Sequence, residues 1–163
     1  MLKQFSMLLA LILLLASTSP AAKLTGRVAW IYDGDTLRVE NIGTVRLIGI
    51  DTPEIKASSK DRFYIKKFHI NAKKLREIAS QAKKYNIHNV KDKLVRLELD
   101  QTHRDKYDRL LAYVYLPDGR MLNQILLKKG LATVFRRYDF LYKTDFFADE
   151  KNAQKNKLGL WEQ

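Results

Sequence analysis

The stretch from Trp30 to Glu54, WIYDGDTLRVENIGTVRLIGIDTPE, constrains the chain more than any other, because turn signals and a proline cut its apolar alternation into short pieces. Val28, Trp30 and Tyr32 alternate up to Asp33-Gly34, a turn dipeptide able to take positive φ. Leu37 and Val39 resume the alternation, and Asn41-Ile42-Gly43 is a second turn. Val45, Leu47 and the run to Ile50 make a third strand that stops at Asp51-Thr52-Pro53-Glu54. Pro53 ends it, since proline donates nothing to a ladder and restrains the residue before it. Consecutive strands therefore leave Asp33, Asp35, Asp51 and Glu54 at strand ends.

A closed meander brings the carboxylates of Asp35 and Asp51 close together, and two carboxylates that close repel unless a cation or a proton lies between them. The chain has no cysteine and no nearby histidine, so hard oxygen ligands favour Ca²⁺ or Mg²⁺ over zinc. Arg46, five residues before Asp51, is suited to bind a phosphate bidentately at the same place. The residue pattern alone also allows a plainer reading, with Asp33 and Asp35 as turn residues and Asp51 as a strand-end cap. A calcium-binding helix-loop-helix is excluded. Counting Asp33 as the first position, Leu37 and Thr44 fall where such a loop needs an oxygen ligand and a glutamate.

Thirty Lys and Arg against eighteen Asp and Glu give a formal charge of +12, which favours polyanionic partners. The 163 residues, 46% of them hydrophobic, suffice for one domain with a sizeable core. Residues 1–22 read as a secretory signal peptide: Lys3, an apolar run from Met7 to Ala16, then small residues at the exit. That run is too short to span a bilayer. Export to the periplasm or beyond is expected, with no stable membrane insertion once the leader is cleaved. Cleavage removes only one charged residue, Lys3.

Beyond Glu54 the period changes. Ile55 to Asp61 is a polar, lysine-bearing loop, and Ile65, Phe68, Ala72, Leu75, Ala79 and Ala82 predict one amphipathic helix over Arg62 to Tyr85. Lys93 to Leu99 and Arg109 to Leu116 read as two more strands, separated by a polar loop from Asp100 to Asp108. Pro117-Asp118-Gly119 is a turn, Leu122 to Lys129 a short helix stopped at Gly130, and Leu131 to Phe135 an extended piece. A last helix runs from Thr144 to Lys157. Periodicity supports an α+β domain with a small antiparallel sheet. The three histidines lie too far apart for a zinc site, and there is no glycine-rich phosphate loop and no serine elbow.

Asp33-Gly34-Asp35-Thr36, then Arg46 to Glu54 (RLIGIDTPE), then Asp105 to Val114 (DKYDRLLAYV) resemble, in that order, the motifs of the staphylococcal nuclease family. The resemblance covers Lys23 to Trp161 and implies a five-stranded OB-fold barrel with about three packed helices, occupying residues 23–163. It implies that Asp35, Asp51 and the carbonyl of Thr52 hold one Ca²⁺, and that Glu54 lies beside the attacking water. Arg46 and Arg109 become the phosphate clamps. Lys106, Tyr107 and Tyr138 match positions that contact the terminal phosphate or base of the nucleotide. The implied activity is Ca²⁺-dependent endonucleolytic cleavage of DNA and RNA, preferring single strands and leaving 3′-phosphates, by a monomer. Two departures stand out: Asp108 replaces a usual glycine beside the clamp, and Arg136 replaces a tyrosine near Tyr138, expected to strengthen phosphate attraction. The alternative is a non-catalytic nucleic-acid-binding OB domain, which explains the charge equally well. A basic peripheral membrane protein is a third reading, resting on the leader and the charge alone.

Overall fold

The computed structural model describes residues 24–162, so the signal peptide expected at 1–22 lies outside the described residues. Strands β1 (Leu24–Ile31), β2 (Thr36–Val39) and β3 (Gly43–Leu47) form an antiparallel meander. Strands β5 (Leu94–Arg104) and β6 (Leu110–Tyr115) close it into a barrel, β5 beside β1 and β6 parallel to β3. The order β1-β2-β3-β6-β5 is a five-stranded closed barrel of the OB type. Two short strands, β4 (Ile50–Asp51) and β7 (Thr133–Val134), pair outside it. The α-helices α1 (Asp61–Phe68), α2 (Ala72–Asn89), α3 (Leu122–Lys128) and α4 (Lys143–Lys155) number four, one more than expected, and a 3₁₀ turn at Gly159–Trp161 follows.

Inward-facing Val28, Leu37, Val39, Val45, Leu47, Val95, Leu97 and Val114 fill the barrel, each at most 2% exposed. Helix α2 covers one side with Leu75, Ile78, Ala79 and Ala82, a stripe at helical spacing. Helix α3 is buried nearly all round and packs on α4. Asn123 ties it to the barrel by accepting from Val114 N (3.0 Å) and donating to the Ile48 carbonyl (2.9 Å).

The structure corrects the sequence reading at several places. The single helix expected over Arg62 to Tyr85 is two. His69 takes φ 58° and closes α1, with its N–H on the Ile65 carbonyl (3.1 Å), and Asn71 then caps α2 by accepting from Lys74 N (2.9 Å). The break rotates the apolar stripe: Ile65 is 44% exposed, while Tyr64 and Ile70 are buried. The loop expected from Asp100 to Asp108 is strand as far as Arg104. The third strand stops at Leu47 rather than Ile50, because Gly49 turns the chain at φ +79° with its Cα hydrogen facing the Phe140 ring, where a Cβ would come within 2.7 Å. Gly34 is absent from the positive-φ positions and is small for another reason. A Cβ there would meet Ala82 and Thr52 at 2.8 Å. Finally, β1 carries a register shift between Val28 and Trp30, so Val28 and Ile31 point inward while Trp30 and Tyr32 face solvent.

Candidate active site

The loop joining β1 to β2, the end of β3 and the β4 segment converge at one mouth of the barrel. Asp35 arrives there because its own carbonyl accepts from Leu47 N (2.8 Å) while Asp33 Oδ1 accepts from Asp35 N (2.9 Å), fixing the turn between two strands. Its carboxylate is buried and fully engaged. Oδ2 accepts from Thr52 N (3.0 Å) and Thr52 Oγ1 (3.3 Å), and Oδ1 from Thr36 Oγ1 (2.9 Å) and the Arg46 guanidinium. Arg46 also donates to Asp51 Oδ1 (2.8 Å), so one guanidinium bridges the two carboxylates read from the sequence as a pair.

A residue that sequence reasoning missed completes the cluster. Lys60 Nζ reaches both Asp51 Oδ1 (3.1 Å) and Glu54 Oε1 (2.6 Å). The segment carrying it is pinned rather than open: Ser58 donates to the Asp61 carboxylate, which also receives Arg76 Nη2 (2.6 Å). One turn on, Tyr64 is buried with its hydroxyl donating to the Asp51 carbonyl (3.2 Å). Ser58 three residues before Asp61 is a helix-start pattern that could have placed Lys60 at a helix entry beside Glu54.

Electrostatics follow this geometry. Burial opposes ionisation of Asp35, but Arg46, then Lys60 and the Thr52 N–H, hold its carboxyl below the usual range. Burial, then the charge on Asp35, push Asp51 upward against Lys60 and Arg46. Asp33 rises to about 6 through burial and the charge of Asp35. Two carboxylates that contend for charge in a partly dry pocket make a site that a positive centre stabilises.

Arg109 enters from the start of β6. Asp105 Oδ2 accepts from its Nε (2.8 Å) and Nη2 (2.7 Å), and Nη1 points to Thr36 Oγ1 (3.3 Å), one hydrogen bond from Asp35. Tyr107 is exposed, with Arg109 Cζ 5.4 Å and Lys106 Nζ 4.9 Å from its ring centre. Thus Asp35, Arg46, Asp51, Thr52 and Glu54 come together, Arg109 joins through Thr36, and Lys106 and Tyr107 flank Arg109. Tyr138 is 70% exposed and packs on Phe135 at 5.6 Å.

Both departures acquire a structural account. Asp108 sits at φ 61°, a conformation that glycine takes without strain, and its carboxylate pairs with Arg104 (3.3 Å) rather than with the clamp. Arg136 is engaged within the fold. Its guanidinium is paired with buried Glu150 and donates to the Val134 carbonyl, lying against Phe68 and Phe147 at 5.3 and 5.2 Å.

Among the described residues no three His, Asp or Glu side chains are arranged to hold a metal ion between them. The donor set that is present, two carboxylates beside a peptide segment, is all hard oxygen and fits a hard divalent cation.

A closed OB barrel with paired acids, a bridging guanidinium, a second arginine and a carboxylate at one mouth defines a protein equipped for phosphate chemistry. The chain belongs to the staphylococcal nuclease homologue family, which matches residues 44–163. The thermonuclease of Staphylococcus hyicus is 36% identical over 151 residues, covering 90% of this chain and 80% of that protein. That of Staphylococcus intermedius is 38% identical over 137 residues, 81% and 73% of the two chains. The SPbeta prophage-derived endonuclease of Bacillus subtilis is 38% identical over 135 residues, 79% of this chain but only 41% of that protein.

Proposed function

We propose that the chain is an exported, Ca²⁺-dependent endonuclease that acts as a monomer on single-stranded DNA and RNA and leaves 3′-phosphates. Relatives named thermonuclease and endonuclease support a nuclease. The observation that carries the reading is the bridged pair Asp35–Arg46–Asp51 with Glu54 alongside.

Asp35, Asp51 and the Thr52 carbonyl would hold the cation, whose charge would offset that on a non-bridging phosphate oxygen. Glu54 orients a water and accepts its proton as the water oxygen bonds to phosphorus and the bond to the 5′-oxygen breaks. The leaving 5′-oxygen takes up a proton, and the phosphate stays on the 3′ side. Arg46 and Arg109 stabilise the charge that gathers on the equatorial oxygens in a half-buried site. Arg46 is held by Asp35 and Asp51 and has to give up part of those ion pairs to reach the phosphate. Lys60 holds Glu54 until then. Lys106 and Tyr107, beside Arg109, bind the next phosphate and base, and Tyr138 extends the contact along the strand.

Digestion of denatured DNA with Ca²⁺, with Mg²⁺ and with chelator tests this. Fragments bearing 3′-phosphates should form with Ca²⁺ and none with chelator. Binding without cleavage in all three conditions would make the chain a nucleic-acid-binding barrel instead.

A further inference from the structure

The register shift in β1 has re-aimed two aromatic side chains. Val28 pairs with Val39 and Trp30 with Arg38, so one residue is gained on β1 between them, and the alternation that would have turned Trp30 inward with Val28 is reversed. Trp30 is 53% exposed and Tyr32 41%, while Ile31 between them is buried. Bulges of this kind occur beside functional sites, where they redirect side chains. An indole left half in water forgoes the stabilisation that burial gives, and Trp161 shows the ordinary fate, half-buried against Phe68 at 5.0 Å.

Basic groups surround the exposed indole. Lys91 Nζ lies 5.7 Å from its ring centre, and Arg38 is its direct cross-strand partner and exposed. Arg27 is held nearby by the Asp92 carbonyl (2.6 Å). Two exposed acids, Glu40 and Asp92, donate their backbone N–H groups to the Arg27 and Val28 carbonyls of β1 (2.9 and 2.8 Å). Tyr32 leads directly into Asp33–Asp35, so this surface begins at the candidate active site. From Trp30 to Asp35 the chain spans at most about 17 Å at roughly 3.3 Å per residue.

We propose that Trp30, Tyr32 and Arg38 form a stacking platform for unpaired bases of the nucleic-acid strand that runs out of the active site. Aromatic faces take any base, and interleaved arginine and lysine track the backbone phosphates, so the platform is sequence-tolerant and salt-sensitive. The identity of the ligand rests on the nuclease reading, and the test is run without hydrolysis so that the two stand or fall separately.

The protein is titrated in chelator with an oligothymidylate of about 12 nucleotides, and indole fluorescence is followed. Binding should quench the emission. Trp30→Ala should lose that quench and weaken binding roughly 5- to 150-fold, the range expected for one stacked base. Trp30→Phe, which keeps a ring, should recover most of the affinity. A thymidine dinucleotide, which fills only the site itself, should bind all three proteins equally, and this also shows that the variants are folded. Wild-type affinity of Trp30→Ala for the longer strand overturns the platform. So does quenching by anionic phospholipid vesicles without quenching by the oligonucleotide. The expected pattern in a protein that fails to cleave once Ca²⁺ is added would support the platform and overturn the nuclease.

Discussion

Arg46 stands between two carboxylates that would otherwise face each other in a partly dry pocket, and its removal exposes that conflict. In chelator, Arg46→Ala should cost about 3 to 5 kcal/mol in urea unfolding, the penalty for leaving buried charge unpaired. Adding Ca²⁺ should return part of it. A loss below about 1 kcal/mol would mean that the acids do not depend on the guanidinium. Asp35, Arg46 and Asp51 were legible because turn dipeptides and a proline mark the ends of the strands that carry them. Lys60 was not. A lysine in a polar stretch of a chain with thirty basic residues gives no signal of its own, and the Ser58–Asp61 helix-start pattern marks its position without showing that it reaches Glu54. The pairing of Arg136 with Glu150 was not legible either, since the two lie fourteen residues apart on different elements.

Individual elements were readable where local chemistry decides them. The turns at Asn41–Gly43 and Pro117–Gly119 and the stop at Gly130 are all present, each with a residue at positive φ. The β1 bulge and the His69 break were not readable, because tertiary packing of Ile31 and Ile70 selects them over uninterrupted alternation. Strand β5 outran its expected end at Leu99 across an irregularity, since the register with β6 shifts after Leu99 and pairing resumes at Arg104 with Leu110. Gly130 offers a test at this scale. It takes φ +65°, accepts from Leu160 N (2.8 Å), and an added Cβ would lie 2.0 Å from the Leu158 carbonyl oxygen. Gly130→Ala should therefore destabilise by about 2 kcal/mol or more in denaturant titrations, opposite in sign to the gain that the same change gives inside a helix.

Asp100 ties β5 to the segment before α4, accepting from Tyr113 Oη (2.6 Å) and Leu141 N (2.8 Å). Burial works against its ionisation, and those hydrogen bonds outweigh it and hold the carboxyl below 3.8. A depressed carboxylate contributes stability that is present above its unfolded value and is lost as pH falls through the folded one. Relative to Asp100→Asn, the wild type should lose stability as pH drops from about 5 to about 2, as read from urea midpoints. Parallel profiles would contradict the tie.

For the whole molecule, the barrel and its helices serve to bring separate turns to one mouth, and the surplus of positive charge supplies attraction for a polyanion. The order of strands followed from turn signals, but closure did not: the parallel pairing of β3 with β6 joins residues more than sixty apart, and no local pattern encodes it. The central claim is that Glu54 acts on water while its neighbours hold the phosphate. Single-turnover cleavage of an end-labelled single-stranded oligonucleotide in Ca²⁺, beside its binding affinity in chelator, tests that claim on wild type and Glu54→Gln. Glu54→Gln should cleave roughly 100-fold or more slowly with affinity nearly unchanged. Equal rates for the two proteins would contradict it.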